Sequence, residues 1–396
     1  MQNNLQQFRR EIEKELIDNI LPFWSSKMPD KQNGGFYGQI TGKDKIVYEA
    51  HKGSVLNARI LWTFSAAYRI CKNPEYLSIA TRAKNYIIDN FIDKKYGGVY
   101  WLLDYKGKPV ETKKQIYALG FAIYGLSEYY RATSDQEALN HAIALYHLVE
   151  KYSFDSEKNG YLEAFTRDWQ LIEDMRLSDK DANEQKTMNT HLHILEPYTN
   201  LYRVWKSDSL KNQLRNLIIV FLEKIIDTKT NHLNLFFDAD WNNKSNSVSF
   251  GHDIEASWLL HEAALALGDE ETLHAVEKVV PLIVNASEEG LLPDGSMMYE
   301  KNIDTHQEDT ERHWWVQAET VIGFLNHYQF YNDEKSFEKA VRCWNYIKQN
   351  LIDRENGEWF WSVYPSGSIN RKDDKTGIWK CPYHNGRMCL EIIERF

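Results

Sequence analysis

Glycine-plus-aromatic patches recur along this chain at intervals of roughly sixty to seventy residues, interrupting an otherwise helical pattern. A fixed period of that length marks a repeated supersecondary unit. Four patches are plain: Gly34-Gly35-Phe36-Tyr37-Gly38, Gly97-Gly98-Val99-Tyr100-Trp101, Gly160-Tyr161-Leu162-Glu163-Ala164-Phe165 and Gly357-Glu358-Trp359-Phe360-Trp361. Two degenerate ones, Leu233 to Trp241 and Leu291 to Tyr299, bring the count to six by their spacing. Six such units can close into a ring, and a ring has a centre where a site can lie.

Between the patches, Leu, Ile, Ala and aromatic residues recur every three to four positions. This predicts twelve helical segments, over 5–21, 52–71, 75–92, 114–132, 135–152, 190–206, 209–227, 252–268, 271–287, 310–330, 334–352 and 381–395. The links Lys72-Asn73-Pro74, Thr133-Ser134, Ser207-Asp208, Gly268-Asp269 and Tyr331-Asn332 are tight and rich in turn and capping residues. The other links are long and hold the patches. All long loops must then emerge at one end of the helical hairpins and all short ones at the other. Every second segment is apolar around most of its circumference, as in Ser54 to Trp62 and Ala118 to Gly125, whereas its partners, such as Tyr76 to Asn90 and Phe337 to Asn350, have one charged face. The first kind lines an interior and the second covers it. The expected fold is all-α, an (α/α)6 barrel of six inner and six outer helices with short strand-like loops at one end. No linker rich in Pro, Gly or Ser divides it, so residues 1–396 are expected to form a single domain. Two α-solenoid halves are the alternative.

A chain of 396 residues, 43% hydrophobic and 13% aromatic, can bury a core of that size. The four cysteines, Cys71, Cys343, Cys381 and Cys389, form no close CxxC pair, which argues against a disulfide scaffold or zinc ribbon. The opening MQNNLQQFRREIEKELIDN is polar and amphipathic without a secretory apolar segment, and no stretch approaches the length of a membrane span. The expected home is the cytoplasm. A net charge of −10 without a long charged run argues against nucleic acid and anionic membranes as partners.

The polar residues that a core would not want fall where each inner helix begins: His51 and Arg59, Tyr117, Asn189 with His191 and His193, His252 and Glu255, His313 with Trp314 and Trp315, and Trp379 with His384. In a ring these starts meet at one mouth, as a pocket for a neutral polar ligand requires. Any one histidine alone is more often a cap or a satisfied core group. His191 and His193 are two apart on a helix and so diverge, unlike the i, i+4 pair of a zinc helix, and no metal is expected. Of Trp314 and Trp315, one should pack in the wall and one line the pocket, where an aromatic face suits a sugar ring. Asp181, Glu255, Glu308 and Asp309 lie on the long-loop side and keep open a glycoside hydrolase, which needs two opposed carboxyls. The repeat-equivalent residues, however, are histidines, which take and return protons near neutral pH. Glu255, at i+3 from His252, is placed to support its imidazole.

The segments MNTHLHILEPY (Met188 to Tyr198), FGHDIEASWLL (Phe250 to Leu260), RHWWVQAE (Arg312 to Glu319) and WKCPYHNGRMCLE (Trp379 to Glu391) resemble the N-acylglucosamine 2-epimerase superfamily, most closely its members that act on cellobiose. The similarity runs nearly end to end. It implies an (α/α)6 barrel that acts on a reducing-end sugar with no obligatory metal or nucleotide cofactor. By motif, His252 and His384 are the two acid/base residues on opposite sides of C2, with His193 assisting at O1 and O2. Arg59 and Asn189 bind oxygens where enediolate charge develops, Glu255 supports His252, and Tyr117 and Asp181 bind hydroxyls. Trp315 and Trp379 are platforms for the two sugar units. The implied substrates are oligosaccharides of the cellobiose, lactose or mannosyl-glucose type, handled by a monomer or weak homodimer.

A C2 proton is acidic only beside a carbonyl, so the resemblance implies ring opening, C2 deprotonation by one histidine, rotation about C2–C3 and reprotonation by the other. Transfer to C1 instead would yield a ketose. A mannose or glucose isomerase and an N-acylglucosamine epimerase share the histidines and stay open, as does a non-catalytic sugar-binding toroid, which would tolerate their loss.

Overall fold

The computed structural model describes residues 2–396. Its helices follow the apolar periodicity: α1 (Gln2–Glu15), α2 (Leu21–Lys27), α3 (Ser54–Cys71), α4 (Pro74–Tyr86), α5 (Ile116–Thr133), α6 (Gln136–Tyr152), α7 (Met188–Val204), α8 (Asp208–Val220), α9 (Phe250–Leu267), α10 (Glu270–Ser287), α11 (Trp314–Tyr331), α12 (Glu334–Asn350) and α13 (Tyr383–Arg395). The first predicted segment runs further than expected. A π turn at Leu16–Ile20 joins α1 to α2, and Pro22, near the start of α2, ends nothing there because its missing N–H falls in the first turn of that segment.

The short links owe their tightness to two local devices. α3, α5, α9 and α11 stop at Lys72, Ser134, Gly268 and Asn332, each in the left-handed conformation, with its N–H bonded back to the helix. The following helices begin at Asn73, Asp135, Asp269 and Asp333, whose side chains accept from first-turn N–H groups. The chain therefore reverses within a residue or two, and every inner helix points its N-terminus to the long-loop end.

α3 packs on α5, α5 on α7, α7 on α9, α9 on α11, α11 on α13, and α13 back on α3, so the inner ring closes. α1, α4, α6, α8, α10 and α12 pack outside it. This is the (α/α)6 barrel. Small residues set the inner spacing: a Cβ added at Gly120 of α5 would lie 2.3 Å from the His193 carbonyl oxygen on α7.

At the long-loop mouth, the residues just before an inner helix pair antiparallel with the next repeat's loop. Gly53 pairs with Leu102, Gln115 with Ala164, Thr187 with Phe236, Ser249 with Glu300 and His313 with Ser362. A bridge between Ile40 and Thr376 joins the last loop to the first. A turn repeats within these loops, bridging Pro29 to Phe36, Ile92 to Val99, Phe154 to Tyr161, Ile226 to Leu233 and Ile352 to Trp359. Its left-handed position is Gly34, Gly97 or Gly357 in three repeats and Asn159 or Asn231 in two others, since asparagine tolerates that region. The patch at Leu291 to Tyr299 takes the same place in its repeat but turns more tightly: it bridges Leu291 to Met297, and the Met298 N–H bonds to the Gly290 carbonyl as Tyr100 N–H does to that of Phe91. The fifth repeat has a 3-10 turn, Glu288–Gly290, ahead of it.

A buried lysine anchors several of these turns. Lys52 pairs with Asp30 at 2.8 Å, Lys114 with Asp93 at 3.0 Å and Lys186 with Asp155 at 2.9 Å, while each aspartate also accepts from N–H groups of its own turn. Removing either partner would strand a buried charge, at a cost of about 3–5 kcal/mol. Among the described residues no helix is long and apolar enough to cross a membrane.

Candidate active site

The sixth residues of α3, α5, α7, α9 and α11 are Arg59, Phe121, His193, Glu255 and Glu319, and they turn toward the barrel axis at one depth. One turn nearer the mouth lie Tyr117, Asn189, His252, Trp315 and His384. Side chains of both layers line a cavity of about 450 Å³, roofed on one side by the segment Leu177 to Asp181. All ten residues singled out for the site border it: His252, His384, His193, Arg59, Tyr117, Asp181, Asn189, Glu255, Trp315 and Trp379. A second lobe of about 580 Å³ continues past Asp181, Asn189, His252 and Tyr299.

Three imidazoles are held from behind. His384 Nδ1 lies 2.7 Å from Glu319 Oε1, and His193 Nδ1 lies 3.2 Å from Glu196 Oε2, so each Nδ1 carries the proton toward an accepting carboxylate. His252 Nδ1 meets Ser249 Oγ at 2.7 Å. In each case Nε2 is left for the cavity. Burial, followed by the charge of His193, pulls the pKa of His252 down to about 3. Burial with Arg59 and Arg387 nearby lowers His384 well below the imidazole range, and burial lowers His193 as well. At neutral pH all three are uncharged and able to act as bases. Trp315 stands between the pair, its ring 4.7 Å from that of His252 and 5.6 Å from that of His384. A Cβ at Gly251 would fall 2.7 Å from the Trp315 ring, so glycine is what lets the indole lie beside His252.

Two arginines share this floor with opposite surroundings. Arg387 donates from Nη2 to Glu255 Oε1 at 2.7 Å and to Glu319 Oε1 at 2.6 Å, and from Nη1 to Glu196, which also accepts from the Tyr383 hydroxyl. Arg59 has no carboxylate partner among the described residues. It donates to the Tyr117 hydroxyl at 2.8 Å and the Trp379 carbonyl at 3.2 Å, lies between the rings of Phe121 and Tyr383, and its Nε is buried without a partner. Burying an unpaired charge is costly, so a site that keeps one invites an anion.

The carboxyls divide accordingly. Burial opposes ionisation of Glu196, yet Arg387 and the bonds from His193 and Tyr383 hold its pKa down to about 2. Burial and the charge of Glu319 push Glu255 well above the carboxylate range, and burial raises Glu319 against the pull of Arg387. Glu319 accepts from three donors on two oxygens: His384 and Arg387 on Oε1, and Trp258 Nε1 at 3.0 Å on Oε2. Glu255 accepts only from Arg387, and its Oε2 is buried with no partner. Of the two, Glu319 is the anion and Glu255 the acid.

Several expectations change. Glu255 faces Arg387 and His384, whose Nδ1 is 3.9 Å from its Oε1, and His252 takes its support from Ser249 instead. The buried guanidinium draws the glutamate across the axis, while the imidazole leans back toward the helix N-cap, as helical side chains do. His51 is exposed outside the cavity. His191 points away from His193: its Nε2 accepts the Tyr161 N–H at 2.9 Å, so Nδ1 donates to the Thr187 carbonyl and no lone pair is left for a metal. His384, Glu255 and Glu319 have the composition of a cation site, with their ligand atoms within 4.8 Å of one another, but the Arg387 guanidinium already sits against both carboxyls. Trp314 and Trp315 both border the cavity, Trp314 being the more buried and packed on Trp361 at 4.6 Å. Glu308 and Asp309 are exposed on a hairpin, so the opposed carboxyl pair of a hydrolase does not form from them. Glu196, Glu319 and Arg387 were missed, their signal being a charged residue within an inner helix, and so was Ser249, the residue that precedes α9.

The family model described as N-acylglucosamine 2-epimerase matches residues 35–385. The chain is 59% identical to a cellobiose 2-epimerase of Bacteroides fragilis, over 97% of its own length and 98% of that relative's. It superposes with a TM-score of 0.95 on the structure of cellobiose 2-epimerase from Bacillus thermoamylovorans B4167, at 43% identity and covering 99% and 100% of the two chains. A D-mannose isomerase structure, at 19% identity and a TM-score of 0.85 over 98% of each chain, shares the fold.

Proposed function

The chain belongs to the N-acylglucosamine 2-epimerase family, and from that premise we propose that it inverts C2 of the reducing-end glucose of β-1,4-linked disaccharides, taking cellobiose to glucosyl-mannose and lactose to epilactose. The whole chain acts as one catalytic domain in this reading. What carries it is the pair of neutral imidazoles, His252 and His384, on either side of one cavity whose floor holds an arginine with no carboxylate of its own.

The sugar first opens, a proton leaving O1 and another reaching O5, with His193 as the group at that end. One of His252 and His384 then takes the C2 proton through Nε2, and the C–H electrons pass into the carbonyl to give an enediolate. Arg59 answers that charge, with its N–H groups already aimed by Tyr117 and the Trp379 carbonyl. The N-termini of six inner helices face the same cavity, and their dipoles add to the stabilisation. Rotation about C2–C3 presents the other face to the second histidine, which takes a proton from solvent onto Nε2 and delivers it to C2 while the first returns its own to solvent, and the ring closes. Glu319 supports charge on His384 as it becomes an imidazolium, and Glu255, held as the acid, offers its O–H to a substrate oxygen. Asn189, whose side-chain oxygen is buried and unpartnered, and Asp181 bind hydroxyls. Trp379, beside Tyr117 and Trp101, is the platform for the second sugar.

Comparing kcat/KM for cellobiose, lactose, mannose and N-acetylglucosamine tests the reading. The disaccharides should rank first. A chain that prefers mannose and yields a ketose, or prefers N-acetylglucosamine, belongs to another activity of the family.

A further inference from the structure

The opposite mouth of the barrel, where the short links lie, holds a separate cavity of about 520 Å³ that the epimerase chemistry does not use. Its lining includes the Trp62 ring, stacked on Tyr124 at 5.1 Å, with exposed apolar side chains of Leu265 and Phe330 beside it. The inner helices end here, and Arg69, Arg131, Arg203 and Arg395 sit in the last turns of α3, α5, α7 and α13, where they complement the helix dipoles. Four carboxylates, Glu128, Glu262, Glu391 and Glu394, pair with these arginines.

Dipole complementation explains one arginine per helix but not what remains. Lys206 makes no ion pair or hydrogen bond among the described residues, its ammonium resting 3.8 Å from the Tyr202 ring centre. Arg203 commits only Nη2, to Glu262, and Arg131 only Nη1, to Glu128 and Asn200. The Trp62 indole N–H and Gln329 Oε1 are buried with no partner. Partial burial, with Arg203 and Lys211 nearby, lowers the Lys206 pKa. The buried Trp62 N–H, a donor without a partner, costs free energy that a bound acceptor would recover.

We propose that this cavity binds a phosphate-type oxyanion, free or carried on a small monoester, held by Lys206, Arg203 and Arg131 with the Trp62 N–H as a fourth donor. Three cations bordering one cavity, two at the ends of neighbouring inner helices and Lys206 in the link that follows α7, suit a tetrahedral dianion better than a carboxylate, which one bidentate arginine satisfies.

Titration calorimetry on the full chain in a phosphate-free buffer of fixed ionic strength tests it, with inorganic phosphate, glucose 6-phosphate, acetate and glucose as probes. Saturable binding of phosphate, undisturbed by saturating cellobiose, is expected. It should weaken at least fivefold in Lys206→Gln and in Trp62→Phe, which keeps the stack and removes only the N–H. Tighter binding of glucose 6-phosphate than of phosphate would identify the ligand as a monoester, and equal binding as the free ion. The inference is overturned by an absence of saturable binding, by equal binding of acetate or glucose, by displacement with cellobiose, or by unchanged affinity in Lys206→Gln, whose exposed position leaves folding intact.

Discussion

Two glutamates share the Arg387 guanidinium, and the account gives them opposite protonation states, so the same amide replacement should affect them unequally. In Glu319→Gln one of the two accepting oxygens becomes a donor, while three donors still converge on the site: His384 Nδ1, Arg387 Nη2 and Trp258 Nε1. Whichever way the amide turns, a donor faces a donor. His384 also loses the carboxylate that supports its charged form. A hydrogen bond to a charged group contributes about 1.5–3 kcal/mol, and the same difference in the barrier lowers kcat about 10- to 150-fold. Glu255→Gln replaces a protonated acid by its isostere, whose Oε1 can still accept from Arg387 while its NH2 donates where the O–H did. Its kcat should stay within about fivefold of the parent. The assay is epimerisation of cellobiose under saturation, with circular dichroism to show that both variants fold and KM to show that the loss is in kcat. Equal losses in the two variants, or a greater loss in Glu255→Gln, would refute the assigned charges.

Other perturbations probe the remaining parts. His252→Ala and His384→Ala should each keep less than about a tenth of wild-type turnover, a loss of more than about 1.4 kcal/mol of barrier stabilisation, while remaining folded by circular dichroism. Exhaustive chelation should leave the rate unchanged, because Arg387 stands where a cation would sit among His384, Glu255 and Glu319; activity lost to chelator and restored by a divalent ion would contradict that. Trp379→Ala removes an aromatic platform worth about 0.5–1.5 kcal/mol beyond its area. It should lower kcat/KM for cellobiose more than for mannose, and equal losses would mean that the Trp379 ring, packed edge-on against Tyr117, serves the catalytic centre itself.

The ring was legible in the sequence because its determinants are local. Apolar period, capping residues and a turn repeated every sixty to seventy residues or so each act within a few positions. The start of each inner helix was legible for the same reason, and the nine site residues read from those starts meet in one cavity with Asp181 of the long loop. Contacts across the axis were not legible. Nothing in the spacing of Glu196, Glu319 and Arg387 says that three helices from distant parts of the chain bring them together, and the expected support of His252 by Glu255 gave way because a buried guanidinium outcompetes a neighbour one turn away. The fifth patch looked degenerate because its hairpin closes one residue tighter, from Leu291 to Met297, and so needs a different set of turn residues.

The central claim is that C2 inverts by proton transfer between two opposed bases, and turnover of cellobiose in deuterated water followed by NMR tests it most directly. At early times the mannose-type product should carry deuterium at C2, since the second histidine delivers a solvent-derived proton, while unreacted cellobiose stays protiated. Product that appears with protium at C2 throughout, or free glucose in place of an epimer, would contradict it.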